Sequence, residues 1–213
     1  MKIIFKTRKG FTIIELIISI SLLCVLLAGI YTLYFHVQKT FNRTNAHLKI
    51  NQQINTAFLR LERDIHSGMK PNYLTDAVRI VSDNEMHIYS FDDATNKYMR
   101  VVYRLNPSDK TILERGLAIY PGKTPPADEN PEYETITEWE TLIEGIIEEY
   151  NGKKSNFSIL SVSAPTGELT PSPTPIVRKA VCIVLIVNDP DNPLEEPIVS
   201  EKIITSRSNS YPK

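Results

Sequence analysis

Hydrophobic and polar positions divide the chain into three stretches with different periods. Residues 11–35, FTIIELIISISLLCVLLAGIYTLYF, hold 19 apolar residues out of 25 and a single charge, Glu15. As a helix this stretch is about 37 Å long, enough to cross a hydrocarbon layer of about 30 Å. Residues 36–67 place Val37, Phe41, Leu48, Ile54, Phe58, Leu61 and Ile65 at helical intervals, with polar residues between them and no Pro or Gly before Gly68. That pattern predicts an amphipathic helix continuous with the apolar one, laid against a sheet along its stripe and stopped by Gly68 and Pro71. The period then shortens. Val78–Val81, Met86–Phe91, Tyr98–Leu105 and Thr111–Leu113 read as strands of an antiparallel meander, separated by turns rich in Asp, Asn and Ser. Phe157–Val162, Ile176–Val187 and Ile198–Ser206 read as further strands, and the four prolines of Pro165–Pro175 predict an extended loop. The fold class expected is therefore α+β: one long N-terminal helix packed on an antiparallel sheet. The divisions are 1–10, a leader; 11–35, a membrane helix; 36–68, an amphipathic helix; and 69–213, a β-rich head.

Charge changes this picture at the N-terminus. Lys2, Lys6, Arg8 and Lys9 precede the apolar run with no acid among them. Cations on that side orient the N-terminus to the cytoplasm and the head to the far side of the membrane. A cleaved secretory signal would end in small residues, whereas Ile30-Tyr31-Thr32-Leu33-Tyr34 is bulky; a lipoprotein would need small residues before Cys24, where Leu22 and Leu23 stand. A plain one-span anchor accounts for everything except Gly10 and Glu15. Gly10 lies where the cations end, within reach of a protease at the interface. Glu15 lies inside the apolar run, where a carboxylate costs up to about 2.5–3.5 kcal/mol and marks function unless it snorkels to the edge. Cutting after Gly10 would place a new α-amino group on Phe11, able to neutralise Glu15 within one chain or between neighbours.

Arg8-Lys9-Gly10-Phe11-Thr12-Ile13-Ile14-Glu15-Leu16 resembles the type III signal of type IV prepilins and type II secretion pseudopilins. The resemblance implies that a prepilin peptidase cleaves Gly10–Phe11 and N-methylates Phe11, and that Glu15 pairs with the Phe11 amine of a neighbouring subunit during assembly. Leu61-Glu62-Arg63-Asp64-Ile65, Val101-Val102-Tyr103-Arg104-Leu105 and Leu113-Glu114-Arg115 resemble the J-type pseudopilins and W-type minor pilins. That implies a minor subunit that primes or caps a filament, in a secretion, pilus or competence machine. Its implied partners are the peptidase, other (pseudo)pilins in a heteromeric tip complex, the inner-membrane assembly platform and the lipid bilayer. The helix-kinking proline of many major pilins is missing from the span, and the presence of Glu15 argues against a K-type subunit.

Little else in the chain points to chemistry. His36, His47, His66 and His87 lack zinc spacing, and no nucleophile elbow, zinc-protease helix or phosphate loop occurs, so neither enzyme activity nor a cofactor is expected. Asp189 and Asp191 sit in an oxygen-rich Pro/Asp/Asn cluster that would serve for calcium but reads equally as a turn. Thr124–Gly152 carries nine acids and no Lys or Arg, which speaks against nucleic acid and fits a solvated face or a docking surface for a basic partner. The other class of function compatible with the sequence is a membrane-anchored extracytoplasmic module that binds DNA, a secreted substrate or calcium. The formal net charge of the whole chain is −1; without its first ten residues it keeps 20 bases against 25 acids, a net of −5.

Overall fold

The computed structural model describes residues 12–72, 75–122, 124–126, 131–163, 177–190, 194 and 196–205. A single helix, α1 (Ile13–Ser67), is unbroken for 55 residues, as the absence of Pro and of any helix-stopping Gly predicts. It ends where expected, with the Gly68 amide donating to the Ile65 carbonyl at 3.3 Å. Contacts divide the chain into two compact units, Met1–Asn45 and Ala46–Lys213.

In the first unit the described residues are helix, and their large apolar side chains all face outward: Ile17 is 57% exposed, Leu27 54% and Phe35 51%. Hydroxyl groups on this surface bond back to the helix itself. Ser19 Oγ donates to the Glu15 carbonyl at 2.7 Å, Ser21 Oγ to Ile17 at 2.9 Å and Thr32 Oγ1 to Ala28 at 2.9 Å. Such i−4 bonds satisfy these three hydroxyl donors in an apolar solvent. By length and composition α1 can cross a membrane once.

The second unit is the β-rich head together with the C-terminal part of α1. Five antiparallel strands, β1 (Val78–Ser82), β2 (Glu85–Asp92), β3 (Lys97–Leu105), β4 (Ile112–Ile119) and β5 (Trp139–Glu144), pair in chain order. A short hairpin, β6 (Glu149–Tyr150) and β7 (Lys153–Lys154), leads to a three-stranded sheet of order β10-β9-β8, with β8 (Asn156–Ser163), β9 (Val177–Val187) and β10 (Ile198–Thr205). One core serves both sheets. Ile50, Ile54, Phe58, Leu61 and Ile65 of α1 meet Met86, Ile88, Val101, Tyr103 and Leu113 of the larger sheet and Phe157, Val181, Ile183 and Leu185 of the smaller. The long helix on antiparallel strands is the α+β layout the sequence predicts and is consistent with a pilin-like fold.

Two expectations need correction. Val37, Phe41 and Leu48 are not buried; they are 62–64% exposed. Burial on α1 begins only at Ala46, and Leu48 lies on the side of the helix turned away from the sheets, as does Leu59 at 65% exposure. The strand expected at Thr111–Leu113 runs on to Ile119, because Gly116 is held in register opposite Val102 of β3 and Trp139 of β5. The acidic stretch contains a strand as well, β5, whose Ile143 is fully buried while Glu140 and Glu144 face solvent. Hydrophobic alternation there was hidden by the density of acids. The predicted loop Pro165–Pro175 lies outside the described residues.

The sheets are joined where the chain turns at Gly145. Its φ is +82°, and a Cβ there would collide with the Asn188 carbonyl oxygen, which belongs to the turn after β9. The Asn188 amide donates to the Gly145 carbonyl at 2.9 Å across the same contact. Gly145→Ala therefore forces a side chain into a left-handed conformation, at about 1–2 kcal/mol, and also pushes the two backbones apart. The melting temperature of the full-length protein in detergent micelles, followed by near-UV circular dichroism, should fall by roughly 4–8 °C. A drop below 2 °C would show that this junction yields easily.

Candidate functional site

The start of α1 is built from Thr12, Ile13, Ile14 and Glu15. The Thr12 amide donates to Glu15 Oε2 at 3.0 Å, the Thr12 hydroxyl donates to the same oxygen at 3.0 Å, and the Glu15 amide donates to the Thr12 hydroxyl oxygen at 3.3 Å. The Leu16 amide closes the first helical turn on the Thr12 carbonyl at 3.2 Å. This is a reciprocal cap: a Thr side chain satisfies an amide three residues on, and the Glu side chain reaches back to the amide of the Thr. A helix leaves its first amides without partners, and in an apolar solvent each orphan is expensive, so the ring holds the helix start in one conformation.

Two chemical consequences follow. Glu15 is pinned at the first turn, where the helix dipole favours its negative charge. Its Oε2 takes both bonds from Thr12, whereas Oε1 receives none from the described residues. The carboxylate thus keeps one oxygen available for a cation approaching the end of the helix. Sequence reasoning singled out Glu15 but overlooked Thr12; the signal was present, since Thr-x-x-Glu before an apolar run is the signature of such a cap.

Residues 5–31 match the family model described as the prokaryotic N-terminal methylation motif. The chain carries a type IV prepilin-like N-terminus. No curated protein and no solved structure matches the chain. The prepilin-like motif implies processing by a prepilin peptidase and pilin-type assembly, and with one apolar N-terminal helix it supports single-pass anchoring in a membrane. Gly10, Phe11 and the leader cations Lys2, Lys6, Arg8 and Lys9 lie outside the described residues.

Behind this prepilin-like helix a second polar cluster fastens α1 to the head. Asp64 Oδ2 accepts from the Tyr103 hydroxyl at 2.6 Å and from Arg115 Nε at 2.9 Å. Tyr103 is fully buried. Burial, together with the Asp64 carboxylate that takes its proton as a hydrogen bond, raises its pKa far above that of free tyrosine. Burial is the largest single influence on the Arg115 charge and works against it, but the hydrogen bond and charge of Asp64, with Tyr103 beside them, together outweigh it and its pKa rises. The three residues come from segments far apart in sequence, which meet in one cluster. A further pair links Lys202 Nζ of β10 to Glu62 Oε2 of α1 at 2.8 Å.

The remaining candidates fall elsewhere. Asp189 is buried in the turn after β9 with Lys49 Nζ 3.4 Å from its Oδ1, so an ammonium already faces that carboxylate; Asp191 lies outside the described residues. Among the described residues no group of His, Cys, Asp or Glu is arranged to hold a metal ion. Cys24 is exposed on α1, and Cys182 is buried on β9, where burial and the nearby Glu201 carboxylate raise its thiol pKa. Several acids of 124–152 pair within the chain: Glu140 with Arg60, Glu148 with Lys110 at 3.7 Å and Glu149 with Lys154 at 3.7 Å.

Proposed function

We propose that the protein is a minor pilin or pseudopilin, a structural and non-catalytic subunit that primes or caps a type IV pilus-like filament. The observation that carries the reading is the Thr12–Glu15 ring, which holds a carboxylate with one free oxygen at the start of an exposed apolar helix. Prepilin peptidase would cut after Gly10 and methylate Phe11. The subunit then waits in the cytoplasmic membrane with its head outside, until the assembly platform delivers it to the filament. There the secondary ammonium of a neighbouring subunit's Phe11 would bond the open Oε1 of Glu15. In lipid an unpaired carboxylate is unfavourable, so this pairing selects one axial register among those that apolar contacts alone permit.

Two findings support placement among minor subunits related to the J-type and W-type groups. The segments that resemble them converge on the Asp64 cluster, and Leu48 and Leu59 leave an apolar side of the helix open opposite the head's core. A neighbouring helix is the natural cover for that side. Which machine the subunit serves is set by its companions in the heteromeric tip.

Mass spectrometry of the protein from a cell with active prepilin peptidase should find a mature chain that begins at N-methyl-Phe11. An intact Met1 terminus in that cell would overturn the assignment of Gly10 and Phe11.

A further inference from the structure

The face of the larger sheet turned away from α1 carries a groove of about 370 Å³. Its floor is Val102 with Arg100 and Arg104 of β3, flanked by His87 of β2; its far wall is the segment 133–136 and Trp139. Both arginines sit over aromatic rings. Arg100 sits 4.9 Å over Tyr133, and Arg104 sits 3.4 Å over Trp139. A guanidinium held over a ring face by cation–π attraction keeps N–H groups with which to donate.

The two arginines differ in one respect. Arg104 Nε donates to Glu114 Oε2 at 3.2 Å, and that buried carboxylate is completed by Asn106 Nδ2 at 2.5 Å. Arg100 has no ion pair to a described residue, and its Nε is buried without an acceptor. The Tyr133 hydroxyl beside it is also buried without a partner. Buried donors in folded proteins are nearly always satisfied, so two orphans in one groove mark the place of a missing acceptor. Two acids, Glu85 and Glu134, also line the groove. Burial lowers the pKa of His87, the bond from its Nε2–H to Glu85 Oε1 at 2.7 Å opposes this, and Arg100 reinforces it, so Glu85 is occupied by the ring.

We propose that this groove binds a carboxylate, with Arg100 as its anchor, Tyr133 Oη as a second contact, and an apolar or aromatic body of the ligand lying on Val102 and Trp139. A guanidinium fork matches the two oxygens of a carboxylate, and the rings supply the flat surface for the rest. The carboxylate comes either from the C-terminus of an extended peptide or from a small free acid. This site is independent of N-terminal processing.

Trp139 is the only tryptophan in the chain, so its fluorescence reports on the groove. The full-length protein in detergent micelles is titrated with N-acetylphenylalanine, with N-acetylphenylalaninamide, and with a five-residue peptide ending in phenylalanine as free acid or as amide. Saturable change with an acid and at least tenfold weaker binding of its amide is expected, with loss of binding in Arg100→Met. If the peptide acid binds more tightly than the single residue, a chain terminus is the natural ligand; if not, a small acid is. Arg100→Lys, which keeps the charge without the planar fork, should weaken binding to an intermediate degree, and near-UV circular dichroism verifies that both variants fold. Equal binding of acid and amide, unchanged binding in folded Arg100→Met, or no saturation by either acid would overturn the proposal.

Discussion

Asp64→Ala lowers the stability of the full-length protein by about 3 kcal/mol and its melting temperature by roughly 6–12 °C. The carboxylate it removes is the common acceptor for the Tyr103 hydroxyl at 2.6 Å and Arg115 Nε at 2.9 Å, and its side chain is only 15% exposed. Deleting it strands a hydroxyl at a fully buried position and leaves a guanidinium, itself only 26% exposed, without its counter-charge. The cost is that of the orphaned partners more than of the bonds themselves. Tyr103→Phe should cost less, since the Arg115 pair survives it. The two substitutions should also fall short of additivity when combined, because they dismantle one network. Thermal melts of the three variants in detergent micelles, by near-UV circular dichroism, provide the check. A loss below 1 kcal/mol in Asp64→Ala would mean that water takes over the role of the carboxylate.

Glu15→Ala leaves cleavage at Gly10 intact and reduces incorporation into filaments or tip complexes at least tenfold, by the pairing mechanism proposed above. The substitution removes two things together, the acceptor that caps Thr12 and the negative charge. Glu15→Gln separates them, since an amide oxygen still accepts from the Thr12 amide and hydroxyl while carrying no charge. If charge pairing with a neighbour's Phe11 amine sets the register, the Gln variant assembles as poorly as the Ala variant. If helix capping is what matters, Gln restores assembly and Thr12→Ala is the damaging change. Co-purification with companion subunits from membranes with active prepilin processing distinguishes these outcomes. Normal assembly of Glu15→Ala would remove the pairing mechanism altogether.

Much of the fold was legible because its signals are local. The continuity of α1 follows from a helical period without Pro, and its end from Gly68, whose amide bonds Ile65. The meander from β1 to β4 follows from alternating apolar runs between Asp/Asn turns, and Glu15 stands out as the one charge in the apolar run, although its cap by Thr12 was overlooked. β5 was not read as a strand because alternation in Trp139–Glu144 is overlaid by acids on its solvent side, where the burial of Ile143 alone reveals its inner face.

Local chemistry and long-range register thus divide the protein between them. Sequence by itself determined a membrane-length apolar helix, the cationic stretch before it, the placement of Glu15 and the cap that Thr12 makes with it, a cap that rests on contacts within one helical turn. Tertiary structure decided which apolar side of α1 is covered: Ile54, Phe58, Leu61 and Ile65 meet the sheets, and Leu48 and Leu59 do not. It also decided that Asp64 would find Tyr103 and Arg115, and that Arg104 would have a carboxylate while Arg100 would not. Helical period shows that a side chain lies on a given stripe, but the partner across the core or groove is set by the register of strands tens of residues away, which no local pattern encodes.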